Sequence, residues 1–546
     1  MIASGVYHDL TELENRLSGE ANIDSIQALD DQIREHERIL IKLKRARNSL
    51  LNVSKLPPEI LGNIFHWNVM FKDDFEGFEE GSHNFLLVCR HWFEVASHTP
   101  EVWSFWGNTP QEWARWYPRS GLAPLDLVLG GCYSDGYFDT TLSNALRDRA
   151  SKDAIRRIHL ISRSAKLLDN IISSLSPESE GIRSNSVESF IIRNWSHDPK
   201  LPVRASDLFA HYRFPKLQHL ELSHCTISSW DHLQSRTSTL TNLILEPDNS
   251  SPAPSTSQLL SILASNPTLQ KIRIFEPAVP NDGDNSSFQV PLHQLKELKL
   301  DGNSQHVVRL LHRLDHPRTM DKLHLSLDCA IADISQTVGP YLGDYIRRRG
   351  KPQGGLGIFL PGKYPIALCF REVGGIDYST ARSPNDWFLK IEIYPEQPLR
   401  EQLPANLILD LITHTPQEDL VDFQSEENPV AMGSVYARFP NLRTLSFDDT
   451  PLATIFPKSN PGEDEGIPLS LQHISLHRLT VEDGYWSPLT TFLSHHASTG
   501  NQLRTLKVFC CPPMHPEVVE SVRAAVQEFI ITDTSSCPFG VCSYGY

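Results

Sequence analysis

The sequence predicts an α/β chain in which a helical N-terminal part leads into an irregular array of short strands alternating with helical or looped returns. Two observations carry this. Apolar residues recur at helical spacing as far as Trp103, and beyond it the pattern L-x-x-L-x-L returns repeatedly, with any large aliphatic residue or Phe allowed. At 546 residues the chain exceeds what one compact core holds, so several domains or one elongated array are expected.

Residues 1–52 read as an amphipathic helix. Ile26, Leu29, Ile33, Leu40, Leu43 and Leu50 fall on the a and d positions of one heptad frame, interrupted by His36 and Arg47. Dense charge fills the positions between them, from Asp30 and Asp31 to Lys44 and Arg45. Two readings follow: a short coiled coil, or a helix that folds back on its own chain.

The next segment runs Leu56-Pro57-Pro58-Glu59-Ile60-Leu61-Gly62-Asn63-Ile64-Phe65. Proline suits a first helical turn, where its missing N–H had no partner, and Glu59 sits at the positive helix end. Ile60, Leu61, Ile64 and Phe65 form the apolar stripe. A second helix is expected over Phe85–Ala96, apolar on two sides: Leu86, Cys89, Phe93 and Ala96 on one, Val88, Trp92 and Val95 on the other. Two such faces need two packing partners. Thr99 as cap and Pro100 at the first position then start a third short helix through Val102 and Trp103.

These residues resemble an F-box: L-P-P-E-I-L…I-F, then V-C-x-x-W-x-x-x-A, then P-x-V-W, in the family's order over roughly residues 53–106. A heptad helix running straight into that opening is also similar to a large group of fungal F-box proteins. The interval between Phe65 and Val88 is a few residues longer than the compact pattern. The resemblance implies a three-helix F-box over 53–117 that docks the Skp adaptor of a cullin-based ubiquitin ligase. Leu56, Pro57, Ile60, Leu61, Ile64 and Phe65, with Val88 and Trp92, are the adaptor-binding residues it implies.

The array is expected over 118–531, with a flexible tail at 532–546. Matches begin at Leu122, Ile155, Val187, Leu217, Leu240, Leu269, Leu295 and Met320, 23 to 33 residues apart, and resume at Phe388, Leu442, Leu471 and Leu503. A longer string recurs, Phe214-Pro215-Lys216-Leu217-Gln218-His219-Leu220 against Phe439-Pro440-Asn441-Leu442-Arg443-Thr444-Leu445. One strand plus one return per repeat resembles a leucine-rich-repeat solenoid. Cys225, Asn303 and Cys511 each lie three residues past the last apolar position, where an inward side chain can hydrogen-bond the turn backbone. The long gaps after Met320 and Phe388 predict insertions, with a strand candidate at Ile366, Leu368 and Phe370.

Strand alternation buries Leu220 and Leu222 and exposes His219, Glu221 and Ser223. The same rule exposes Lys271, Arg273 and Phe275, then Glu297, Lys299 and Asp301, then Lys322, His324 and Ser326. This mixture of signs with an aromatic suits a protein target, contacted through His219, Glu221, Arg273, Phe275, Lys299 and Asp301.

Other classes fare worse. The formal net charge of −16 opposes binding to nucleic acid. No apolar run reaches bilayer length, and the first residues lack a secretory pattern, so the cytosol or nucleus is expected and no membrane partner. Nine cysteines without a C-x-x-C spacing fit reduced thiols. Gly357–Tyr364 matches a phosphate-binding loop except at Tyr364, where Ser or Thr is required. His312 and His316, spaced as on one helical face, lack the H-E-x-x-H glutamate, and His473 and His477 fall in a strand and turn. Arg347, Arg348 and Arg349 read as a solvated helix end. No catalytic residue, metal or cofactor is predicted. The expected function is that of a substrate receptor of a Skp–cullin–F-box ligase. The alternatives are a leucine-rich-repeat scaffold that does not engage the ligase, and an enzyme within an insertion at 328–387.

Overall fold

The computed structural model describes residues 23–70, 84–104, 117–131, 143–144, 146–148, 154–175, 186–195, 203, 209, 214–227, 229–247, 254–275, 289–317, 320–329, 334–349, 353–359, 366–372, 387, 389–395, 413, 422–426, 438–448, 450–456, 470–479 and 486–532. The fold is mixed α/β with a large, mainly parallel sheet. Two compact units divide the chain, Met1–Gly131 and Cys132–Tyr546. No helix among the described residues is long and apolar enough to cross a membrane. The predicted tail lies outside the described residues, apart from Thr532.

The first unit contains α1 (Ile23–Ser49), α2 (Pro58–Met70), α3 (Arg90–Ser97) and strand β1 (Leu125–Gly131), with 3-10 turns at Asn52–Lys55, Asn84–Leu87, Pro100–Trp103 and Tyr117–Ser120. Of the seam residues, Ile26, Ile33, Leu40 and Leu43 of α1 and Leu50 just past it are exposed, and Leu29 is half-buried. The helix therefore does not fold back with this seam onto the described residues.

The helix expected over Phe85–Ala96 is divided. Cys89 is fully extended, with φ −163° and ψ 167°, so a 3-10 turn precedes it and α3 starts only at Arg90. The third helix is a single 3-10 turn. Thr99 does not cap it through its side chain; its hydroxyl donates back to the Val95 carbonyl at 2.9 Å.

In the second unit the strands of the large sheet are β2 (Ile155–Ser162), β3 (Ser189–Asn194), β4 (His219–Cys225), β5 (Asn242–Pro247), β6 (Lys271–Phe275), β7 (Glu297–Asn303), β8 (Lys322–Cys329), β9 (Gln353–Phe359), β10 (Ile366–Glu372), β11 (Leu389–Pro395), β12 (Asp422–Glu426), β13 (Thr444–Asp448), β14 (His473–His477), β15 (Leu503–Phe509) and β16 (Val526–Thr532). They lie in sequence order except that β8 is followed by β11, β10 and β9, and then by β12. Only β10 runs against its neighbours; the other described pairings in this sheet are parallel.

The repeat pattern sets the register. Leu220, Leu243, Ile272, Leu298, Leu323 and Leu389 stand opposite one another on successive strands, and so do Leu222, Leu245, Ile274, Leu300, Leu325 and Ile391. All twelve are buried, since one apolar face of a parallel sheet needs a cover. The returns supply it with amphipathic helices, among them α4 (Ala165–Leu175), α5 (Trp230–Arg236), α6 (Thr256–Ala264), α7 (Ser304–His312) and α8 (Gly339–Arg349).

Polar side chains tie each repeat to the next. Thr239, Thr268 and Ser470 immediately precede the first leucine of their repeats. Their hydroxyls donate to the carbonyls of Leu217, Leu240 and Leu442, the first leucines of the preceding repeats, at 2.8, 2.9 and 2.7 Å. Cys225 and Cys511 take the inward role expected of them. The Cys225 thiol lies 3.3 Å from the Ser223 carbonyl, and the Cys511 thiol 3.2 Å from that of Phe509. Asn303 departs from the expectation: it is exposed, and its side chain accepts from the Gln305 N–H to cap α7.

Asn266, just past α6, is fully buried and donates to the Ile262 carbonyl at 2.8 Å while accepting from the Leu240 N–H at 3.2 Å. Asn266→Leu strands both backbone groups without a partner, so a loss of about 2–3 kcal/mol is expected in urea unfolding. A loss below ~0.5 kcal/mol would show that the bracket is dispensable.

Candidate partner-binding surfaces

In the first unit, helical periodicity gives α2 one buried and one exposed side. Leu61, Phe65 and Val69 point inward and are at most 2% exposed, whereas Ile60, Ile64 and Trp67 are 47%, 45% and 58% exposed. Phe65 anchors the core: its ring stacks on Phe85 at 4.6 Å and meets Trp92 at 5.1 Å. Val95, Ala96, Val102 and Trp103 complete that core, and the Trp103 indole donates to the Ala96 carbonyl at 2.6 Å. Leu87, Val88 and Phe93 remain exposed on the same module.

The eight residues implied as adaptor-binding thus separate. Pro57, Ile60, Ile64 and Val88 are exposed; Leu56 and Trp92 are half-buried. Leu61 and Phe65 are core residues with almost no exposure, because the i, i+4 stripe they share faces the module's interior. Trp67, Leu87 and Phe93 are exposed apolar residues that the sequence reading left out. The Trp92 indole nitrogen is buried with no hydrogen-bond partner among the described residues.

A cleft of about 590 Å³ opens beside α2 and α3, lined by Glu59, Asn63, His91, Glu94, His98 and Glu101 among others. Its floor is close-packed at Gly62, where an added methyl would stand 2.8 Å from the Thr99 hydroxyl. The Arg90 guanidinium, 2.6 Å from Glu94, holds that carboxyl below its ordinary value. No cluster of metal-ligating residues occurs among the described residues.

In the second unit the predicted target residues share the polar face of the sheet but form two groups. On β4, Glu221 is buried rather than exposed, a correction to strict alternation. Arg193 of β3 reaches across and donates from Nε and Nη2 to both Glu221 carboxylate oxygens. Burial alone would raise this carboxyl; His219 and the Arg193 guanidinium outweigh it and hold it at about 2. Ser223 and Ser326, also expected to be exposed, are buried too, and their hydroxyls donate to the carboxylates of Glu221 and Glu392.

The second group stays more open. Arg273 pairs with Lys299 in register, and Phe275 with Asp301, on adjacent strands β6 and β7. Both cations lie over the Phe275 ring, Arg273 at 4.5 Å and Lys299 at 5.5 Å from its centroid. Neither forms an ion pair among the described residues, and the Arg273 Nε is buried without a hydrogen-bond partner. Burial, with the Arg273 charge, lowers the Lys299 pKa; burial raises that of Asp301.

The sequence reading missed the neighbours that β11 supplies. Glu392 accepts from His324 at 3.0 Å, from Ser326 at 3.1 Å and from Lys390 at 2.5 Å, and the His324 hydrogen bond leads in holding its carboxyl at about 2. The signal was hidden because β11 pairs with β8 only after the chain has passed through β9 and β10.

The remaining sequence leads are structural. Gly357 lies within strand β9, and residues 360–365 of the near phosphate loop fall outside the described residues. His316 lies beyond the end of α7, so it shares no helical face with His312; its Nε2 is 3.1 Å from the Tyr341 hydroxyl. Arg347, Arg348 and Arg349 occupy the last turn of α8, as expected of a helix end.

His159 of β2 provides a pH test. Its Nε2 is 2.7 Å from the Ser189 hydroxyl, and burial, helped by His219 and Arg157, lowers its pKa from 6.5 to about 3. The unfolded chain binds this proton near 6.5 and the folded one does not, so stability falls as pH drops from 6.5 toward 3. Glu221 and Glu392 add a second loss as pH falls below the ordinary glutamate value of 4.5 toward about 2. Urea midpoints measured against pH should decline in these two windows, and His159→Gln should flatten the first. An unchanged first window in that variant would exclude His159 as its source.

The sequence matches no known family model, and a search of characterised proteins finds no significant match.

Proposed function

We propose that this chain is the non-catalytic substrate receptor of a Skp–cullin–F-box ubiquitin ligase. Its first unit would dock the Skp adaptor and its sheet would hold a target protein. The carrying observation is the exposure of Ile60, Ile64 and Trp67 along one side of α2, in a module whose core is already filled from the other side by Leu61, Phe65 and Val69. Large apolar groups collected on one helix face mark an interaction site. A scaffold that used these helices only for internal packing would bury Ile60 and Ile64. The F-box resemblance names the occupant, and an adaptor of this kind puts the chain in the cytosol or nucleus.

Target recognition rests on the Arg273–Phe275–Lys299 group, whose two cations over an aromatic ring suit a carboxylate flanked by apolar surface. Catalysis would reside in the ubiquitin-charged enzyme; this chain would contribute proximity, which offsets about 7–11 kcal/mol of barrier in well-oriented cases. The test is capture of purified Skp adaptor by the full chain and by an Ile60→Asp/Ile64→Asp variant. Capture by the native chain alone supports the receptor. Capture by neither removes the ligase role and leaves a repeat scaffold.

A further inference from the structure

We infer that α1 is a self-association element: two copies of the chain pair through it as an antiparallel two-stranded coiled coil centred on residue 38. The inference does not depend on the ligase reading. Its first support is the seam itself, since Ile26, Ile33, Leu40 and Leu43 are exposed and Leu29 half-buried along a helix of 27 residues, with Leu50 exposed one residue past its end. A regular apolar stripe of that length is stable in water only against a partner.

Orientation follows from the two interruptions. In an antiparallel pair each a position faces a d position of the other helix. Centring on residue 38 sets Ile26 against Leu50 of the second copy, Leu29 against Arg47, Ile33 against Leu43 and His36 against Leu40. Every polar interruption then meets a leucine, whose neighbours leave room for the longer side chain to reach solvent. A parallel pair in register would instead stack His36 on His36 and Arg47 on Arg47, two like pairs at the seam.

The flanking charges agree. On the outer face, Arg34 pairs with Asp31 at 3.0 Å and Arg38 with Glu35 at 3.4 Å within the helix. The e positions are Asp30, Glu37 and Lys44, and none of them forms an ion pair among the described residues. Antiparallel e positions face each other, so Asp30 meets Lys44 of the second copy, twice, by symmetry. Glu37 faces its own counterpart on the axis, the one unfavourable contact. The parallel arrangement sets Glu37 against Gln32 and Lys44 against Ile39 and forms no opposite-charge pair. Ile39, at g, meets Ile39 across the axis and widens the apolar contact. Acidic residues toward the N-terminus and basic ones toward the C-terminus also suit the helix dipole of a single helix, but that accounts for the charge gradient and not for the exposed seam.

The test is sedimentation of the full chain over a concentration series, with Asp30→Lys and Lys44→Asp variants run singly and as an equimolar mixture. Both substitutions fall on exposed positions, and circular dichroism checks that each variant keeps its helices. The native chain should dimerise. Each single variant turns two attractive pairs into repulsive ones and should weaken self-association roughly tenfold. The mixture should recover it, because a dimer of one Asp30→Lys chain and one Lys44→Asp chain has two opposite-charge pairs, one reversed in sign and one as in the native chain. A native chain that stays monomeric throughout overturns the inference and assigns the seam to residues 1–22 or to a different protein. Dimerisation that ignores both reversals overturns the antiparallel arrangement.

Discussion

Phe65→Ala is expected to lower the stability of the helical unit by about 3–5 kcal/mol, most of what a domain of this size has. Phe65 is 1% exposed and lies between Phe85 and Trp92, so truncation removes a stacked pair and a tilted pair along with the buried ring area. The cavity has little means of collapse. The Phe85 turn and α3 are separate segments joined through the extended Cys89, and both use this ring as their common contact. Limited proteolysis and urea unfolding of the full chain read the effect. Loss of the early transition with the sheet transition retained is the expected pattern, and a cost under ~1 kcal/mol would show that the three rings repack.

The adjacent position should behave in the opposite way. Ile60→Asp/Ile64→Asp is expected to leave stability within ~0.5 kcal/mol, because both side chains are about half exposed. The same change places two carboxylates at the centre of the proposed adaptor contact. Desolvating them there should weaken adaptor binding at least ~100-fold, as hot-spot replacements do. Calorimetric titration of the Skp adaptor into each chain measures this. If binding survives the double change while Leu87→Asp/Val88→Asp abolishes it, the contact lies on the 3-10 turn and not on α2. Two neighbouring residues, Ile64 and Phe65, would thus separate the proposed docking from folding.

The α/β class and the strand positions of the large sheet were legible because repeats declare themselves through spacing. The L-x-L pairs of the repeats at 217, 240, 269, 295 and 320 became strands β4 to β8, aligned so that equivalent leucines stand side by side. Three features were not legible. Periodicity alone gave α2 a stripe of Ile60, Leu61, Ile64 and Phe65 without saying which half faces inward; that depends on Phe85, which arrives from a different segment. Alternation placed Glu221 outside, but burial on a sheet face also depends on the neighbouring strand, and Arg193 is long enough to enclose it. Glu392 escaped notice because sequence distance says nothing about a strand that pairs out of order. The hydroxyls of Thr239, Thr268 and Ser470 were readable in principle, each one residue before a repeat leucine, but a single hydroxyl in a turn carries no signal until its carbonyl partner is known.

The out-of-order strands also set a problem of timing. During synthesis β8 leaves the ribosome with one edge unpaired, and the next strand to emerge is β9, which in the finished sheet lies parallel to β8 and three places away. β9 is therefore a competitor for an edge that belongs to β11, and it is available 36 residues earlier. The native arrangement forms only when β10 has folded back and β11 has arrived, a closure spanning residues 329 to 389. Contacts that distant form slowly and hold an edge open to wrong partners in the meantime. Strands β2 to β8 can settle as each follows the last, so the array grows from its N-terminal side and pauses at one junction.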